Sequence, residues 1–515
     1  MKKITFFALT ALLACSSKDE GGGKPTSDDG TGTVPADTRP KFPAYLEISE
    51  VALLQGVKVS LAGKVDGSIT RVKDRKAPVI AGRSGLFRVY VTAKRGWQKH
   101  GVKCELTLTS GAGNVETLTA DFSPLESSRE DDLDTTCNFN LTPKQLGLNA
   151  SYAVRITDDT GEPADTSPAM YPSDGEPESL RIQAGSKLHV VVVPVKYQAD
   201  MSGRVPDTGA KQIAAYKDRM LALYPATDVT VDVHDPFAWT DEIGPDGTGW
   251  SEILQAITDL RARDNAKDDV YYYGAFDPAS SMSGFCRGGC VAGLSGLADD
   301  AGAAYLRASV GIGYPGQETT MAHELGHAHG RAHAPCGGAA GPDPDFPYAK
   351  GGIGAWGYDI SRKELKSPSD GKDMMGYCTP EWVSDYTFNA LFTRMTSIAR
   401  GGVMARAERS GGSNEPSVQG SPTPTKYRMV SVNAKGASRL GATVSLTLPP
   451  QGVSQKALSY VGKDGKPLAH AQAHFFPYDH LPGGIYVFPE NADYEAVDIA
   501  GVARVRRPLS NILAP

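Results

Sequence analysis

His323-Glu324-Leu325-Gly326-His327-Ala328-His329-Gly330-Arg331-Ala332-His333 places four histidines, one glutamate and two glycines within eleven residues. On a helix of 3.6 residues per turn, His323 and His327 leave the same face about 40° out of register and can hold one ion. Glu324 sits one position along, beside that face. Gly330 can take the left-handed conformation that ends a helix, so the chain turns back and delivers His333 as a third ligand. Three neutral imidazoles leave one coordination position open, the arrangement of a catalytic rather than a structural Zn2+ site. In a chain of this length the five fixed positions arise by chance with a probability on the order of 10^-5. His329 falls about 240° round the helix from His323 and reads as a solvent-facing or packing residue.

Downstream lies Asp373-Met374-Met375-Gly376-Tyr377-Cys378. The long histidine motif followed by this segment resembles the metzincin zinc metallopeptidases, which are defined by that motif and a methionine-containing turn beneath it. The resemblance implies Met375 as the turn methionine and Tyr377 as the tyrosine that approaches the metal in some branches. A core aromatic is the competing reading for Tyr377. It further implies Zn2+ on His323, His327 and His333, Glu324 as general base toward a zinc-activated water, and a protein or glycoprotein substrate. Ala334-Pro335-Cys336-Gly337, Trp356-Gly357-Tyr358-Asp359 and Trp382-Val383-Ser384-Asp385-Tyr386 resemble a bacterial exported branch. The mucin-cleaving secreted metallopeptidases are comparable in carrying β-modules around the catalytic unit, although this chain differs from them after the third histidine.

The chain has 515 residues, room for two to four domains at roughly 100 to 200 residues each. Residues 185–405 alternate strands with helices, expected at 212–223 and 251–263, and read as an α/β unit with a largely parallel sheet. Residues 44–180 show period-two alternation broken by Gly, Asp and Pro, the pattern of an antiparallel β-sandwich. Short strands return at 425–515 as a small C-terminal β domain, after a linker at 409–424. The expected fold is therefore multidomain, an α/β metzincin-like catalytic domain between an N-terminal β-sandwich and a C-terminal β domain. An extended peptide would lie along the sheet edge, for which 305–312 is the best candidate.

Met1-Lys2-Lys3 followed by an apolar run to Ala14 has a signal-peptide layout over residues 1–14. Leu12-Leu13-Ala14-Cys15 resembles a bacterial lipobox, which makes Cys15 the expected site of lipidation and the molecule an outer-membrane or cell-surface lipoprotein, with release outside the cell as a variant. Residues 15–43 read as a flexible tether. The lipid anchor is the sole expected membrane contact. Six cysteines remain, and in an exported chain sequence proximity favours Cys104 with Cys137, Cys286 with Cys290, and Cys336 with Cys378. Free buried thiols are the alternative, and for the Cys286-x3-Cys290 pair metal ligation is a further one.

A formal charge of −6 and a pI near 6.0 offer no basic field for nucleic acid. Asp343 and Asp345, in a Gly/Pro-rich loop, are a weak candidate Ca2+ site against a plain turn. His470 and His474 have i, i+4 spacing but no third ligand, and read as surface histidines among strands. The competing function is a surface-anchored lipoprotein that binds glycan or protein and carries an inert peptidase-like domain. The intact set of three histidines and Glu324 argues against it.

Overall fold

The apolar run Val190-Val191-Val192-Val193 forms the middle of β1 (Ser186–Tyr197), a strand hydrogen-bonded on both sides. In the computed structural model, which describes residues 37–298, 300–401 and 423–507, β1 pairs in parallel with β2 (Ala226–Val233) and β3 (Val270–Phe276). β5 (Ala308–Ile312) continues the parallel sheet, and β4 (Gly293–Ser295) closes it antiparallel, giving the order β2-β1-β3-β5-β4. Both faces are covered, so β3 is buried at every position. Helix α1 (Ala210–Leu223) and helix α2 (Trp250–Arg263) occupy the stretches expected to be helical. The alternating side chains of β1 divide between two cores. Val190 and Val192 pack with α1, α3 (Glu318–Ala328) and α4 (Asp385–Ala399), and Val193 and Val195 pack with α2.

The stretch 305–312 is not a sheet edge. β5 lies between β3 and β4, and residues Ala304–Leu306 form a 3-10 turn, so the edge beside the motif helix belongs to β4. Poor alternation in 305–312 reflects burial on both faces: all five residues of β5 are buried.

Two antiparallel sheets precede this unit. One contains Leu46–Leu54, Lys58–Val65 and Gly85–Ala93, and the other Val102–Thr109, Val115–Phe122 and Ser151–Thr157. Their facing side chains share a core, and the Cys104–Cys137 disulfide joins the two sheets. That core is continuous with the α1, α3 and α4 side of the central sheet. Arg83 reinforces the junction, donating to the carbonyls of Ala226 and Leu221, and Trp382 Nε1 donates to Gly56 O at 2.8 Å.

On the opposite side a seven-stranded sheet carries β6 (Thr425–Val432), β7 (Ser438–Leu446), β8 (Pro467–Pro477) and β9 (Gly484–Pro489). Met429, Phe476, Ile485 and Val487 share a single core with Trp250, Ile253 and Ile257 of α2. From Pro40 onward the chain is one compact unit; of the preceding unit only residues 37–39 are described, where Arg39 pairs with Asp37. The expected signal peptide, Cys15 and most of the tether lie outside the described residues, as do 402–422 of the linker region. Lys41–Phe42, within the stretch expected as tether, pairs with Glu162–Pro163.

Because Met429 is fully buried between β6 and α2, Met429→Ala is expected to cost about 2–5 kcal/mol. Denaturant unfolding should show one transition, shifted to lower midpoint. Separate transitions for the C-terminal sheet and the rest would show that the sheet is a detachable module.

Candidate metal centre

Helix α3 carries His323, Glu324 and His327 and is buried from Met321 to Ala328. Its end is a Schellman turn: Gly330 takes φ +81°, its N–H reaches His327 O at 2.8 Å, and Arg331 N–H reaches Gly326 O at 3.0 Å. The chain then reverses and brings His333 back to the other two histidines. His323 and His327 Nε2 stand 3.0 Å apart, and the ring of His333 lies 4.5 Å from that of His327.

Each imidazole is oriented through its other nitrogen. His323 Nδ1 donates to Met374 O at 2.7 Å, His327 Nδ1 to Arg331 O at 2.5 Å, and His333 Nδ1 to Ala340 O at 2.6 Å. A proton held at Nδ1 leaves an unprotonated Nε2, so three lone pairs converge on one point. Burial, followed by the mutual influence of the neighbouring rings, lowers the pKa of all three and keeps them neutral. Lone pairs facing one another at 3.0 Å repel unless a cation lies between them, and three neutral imidazoles are a donor set suited to Zn2+. The residues therefore fit the metal.

Glu324 is buried, and Oε2 has no hydrogen-bond partner. Burial first, and the nearby Asp479 carboxylate second, push its pKa well above the usual carboxylate value. The space for this side chain exists because residue 293 on β4 is glycine: a Cβ there would lie 2.0 Å from Glu324 Oε1. Met375 lies beneath α3, and a Cβ on Gly326 would meet its sulfur at 2.4 Å, so the middle glycine of the motif is required for the turn to approach. Asp373 holds that turn, accepting from Met375 N and Ser384 N, both at 2.8 Å. Tyr377 lies beside the metal site, with its hydroxyl 3.2 Å from His333 Nε2; burial keeps the phenol protonated.

The three cysteine pairs are bonded as sequence proximity favoured. Cys336–Cys378 ties the segment leaving His333 to the end of the methionine turn, and Tyr377 N donates to Cys336 O at 3.2 Å. Cys286–Cys290 closes a small loop whose last residue lines the cleft. His329 is not solvent-facing: it is 2% exposed, its ring stacks on Tyr271 at 4.3 Å, and burial lowers its pKa to about 3. Of its two readings, packing holds because α3 has no exposed face in this turn. Asp343 is engaged by Arg331 and the Tyr386 hydroxyl, both at 2.9 Å, and caps Asp345 N in a turn. Among the described residues the metal-competent groups are His323, His327, His333 with His480, and Glu324 with Asp479 and His480, so neither aspartate of the candidate Ca2+ loop belongs to one. His470 lies exposed on β8 and bonds Ser459.

Asp479 and His480, on the loop between β8 and β9, went unrecognised in the sequence reading. His480 Nε2 lies 3.1 Å from Glu324 Oε1, and Nδ1 bonds the Tyr377 hydroxyl. Burial disfavours a charge on His480, but Asp479 and Glu324 outweigh it and raise its pKa to about 9. No local spacing links these residues to the motif, and Asp-His followed by Leu-Pro-Gly-Gly reads as an ordinary turn. The centre opens into a cleft of about 810 Å3 whose lining includes residues 290–293, Met374, Gly376, Tyr377 and His480.

Residues 297–391 match the family model described as Peptidase M66, which supports a zinc metallopeptidase-type domain around these ligands. No curated protein matches the chain. Among solved structures, one described as a chaperone-substrate complex matches at 11% identity and a TM-score of 0.23, covering 52% of this chain and 39% of that one; a likeness at that score carries no argument.

Two substitutions test the framework. Gly326→Ala forces Met375 from α3, and an overpacking cost of about 1–3 kcal/mol with loss of bound metal is expected by calorimetry and metal analysis. Closing the 42-residue loop at Cys336–Cys378 contributes about 4 kcal/mol in the chain-entropy model. Replacing either cysteine should lower thermal stability under non-reducing conditions more than under reducing ones; equal loss in both would contradict a stabilising bridge.

Proposed function

We propose that this protein is a zinc-dependent endopeptidase of metzincin type, exported and lipid-anchored through Cys15, that hydrolyses peptide bonds in extracellular proteins or glycoproteins. The observation that carries this reading is the convergence of three Nε2 lone pairs beside a buried, partly unsatisfied carboxylate at the wall of a large cleft. His323, His327 and His333 would hold Zn2+, which would supply polarisation of the scissile carbonyl and activation of water near neutral pH. Glu324 takes the proton from the attacking water and passes it to the leaving amine nitrogen, a role suited to a buried carboxylate whose pKa is raised above the usual value. The Tyr377 hydroxyl, held protonated beside His333, donates to the carbonyl oxygen as negative charge develops there. Substrate lies extended along residues 291–293, next to the sheet edge and within reach of Glu324. The match to the Peptidase M66 model and the disulfides of the described chain support an exported metallopeptidase. The β-modules on either side, shared with mucin-cleaving metallopeptidases, make glycoproteins the first class to test.

A panel of unmodified proteins and O-glycoproteins, incubated with wild type, Glu324→Gln and chelator-treated protein, tests the proposal. Cleavage by wild type alone is expected, with Glu324→Gln reduced by at least about 10^2-fold. Cleavage that survives both treatments contradicts the mechanism, and binding without cleavage favours a surface adhesin.

A further inference from the structure

The lining of the cleft is completed by a side chain that lies 156 positions along the chain from Glu324, on a loop of the C-terminal sheet. Backbone bonds fasten that segment to β4. Leu297 N donates to Pro477 O at 2.9 Å, Asp479 N donates to Ser295 O at 3.2 Å, and Tyr478 bridges Gly296. Asp479 Oδ1 accepts from Ser295 N at 3.0 Å and from His480 N at 2.8 Å. Phe476 and Tyr478, on the same segment, are buried in the core that contains Trp250 and Leu294. A lid or removable plug would expose that core each time it moved, so the segment is a fixed part of the site.

His480 presents its two nitrogens to different partners. Nε2 faces carboxylate oxygens, Glu324 Oε1 at 3.1 Å and Asp479 Oδ2 at 3.2 Å, and therefore carries a proton. Although His480 stands in the same cluster as the three ligands, Nε2 turned toward these carboxylates is placed to donate to them rather than to offer a lone pair to a metal. Nδ1 bonds the Tyr377 hydroxyl, and the ring stacks at 5.2 Å on His323 and 5.5 Å on Tyr377. The ring is thus held from both ends. It in turn holds one oxygen of Glu324, leaving Oε2 as the oxygen without a partner.

We propose that His480 is a positioning residue for the general base: the C-terminal sheet supplies an imidazole whose Nε2–H pins Glu324 Oε1 and leaves Oε2 to receive the proton. Asp479, whose side chain is fully buried and bonded to Ser295, fixes the backbone from which His480 projects. This rests on the peptidase reading above, and makes the C-terminal sheet a contributor to the reaction rather than a passenger.

The experiment compares wild type, His480→Ala and His480→Gln, the last of which keeps an N–H that can reach Oε1. In His480→Ala, kcat is expected to fall about 10^2-fold with KM within about threefold, while metal content stays at wild-type stoichiometry and the thermal midpoint changes little. His480→Gln, or added imidazole with His480→Ala, should restore part of kcat. Nitrogen-15 NMR of the metal-loaded protein should place a proton on His480 Nε2 whose shift changes in Glu324→Gln. Activity equal to or above wild type in His480→Ala would overturn the proposal, as would loss of metal, failure of both rescues, or an Nε2 shift typical of metal coordination. If wild type cleaves nothing, the peptidase reading fails and the positioning role with it. The metal and NMR results still tell a hydrogen-bonded His480 from a fourth ligand.

Discussion

Three N–H groups bonded to three backbone carbonyls impose the constraint on which the rest of the structure depends. The carbonyls of Met374, Arg331 and Ala340 belong to different segments, and each must stay fixed for its histidine to keep its lone pair on the common point. Met374 is fixed by the Asp373 turn and the contact of Met375 with Gly326. Arg331 is fixed by the Schellman turn and by its ion pair with Asp343. Ala340 lies in the loop that Asp343 anchors, since Asp343 N donates to His333 O at 2.8 Å and its carboxylate also receives Tyr386. The Cys336–Cys378 bridge closes the ring of supports by joining the segment after His333 to the methionine turn.

The flanking sheets act on the same constraint from opposite sides. The N-terminal pair is continuous with the core beneath α3 and α4, where Trp382, two residues before the N-cap of α4, reaches Gly56. The C-terminal sheet is continuous with α2 and fastens the end of β4, the strand whose Gly293 makes room for Glu324. The unit that carries the three histidines, built on a six-stranded sheet, is thereby braced on both faces, and one brace also places side chains in the cleft.

What the sequence made legible was local. Spacing on one helix identifies His323, His327 and Glu324; a glycine at a helix end identifies the turn that returns His333; short separations favour the three disulfide pairs. The alternation of the valine run and the helices after it was readable because burial on two faces leaves a composition as well as a period. Three features were not legible, each because it depends on distant packing. The edge strand is only three residues long and lies in a Gly-rich stretch, too short for a periodic signal. For His329 the choice between solvent and packing was open, and Tyr271, contributed by a strand, decides it for packing. Asp479 and His480 reach the site through the register between Tyr478 and Gly296, which no motif encodes.

The most direct measurement is X-ray absorption at the zinc edge of the purified, metal-loaded protein, together with metal content per chain. One zinc per chain with three imidazole ligands and a remaining light-atom ligand, and loss of the metal in His323→Ala, is the result expected from three oriented lone pairs and an open position. A chain that binds no metal, or a zinc held by four imidazoles, would contradict the account.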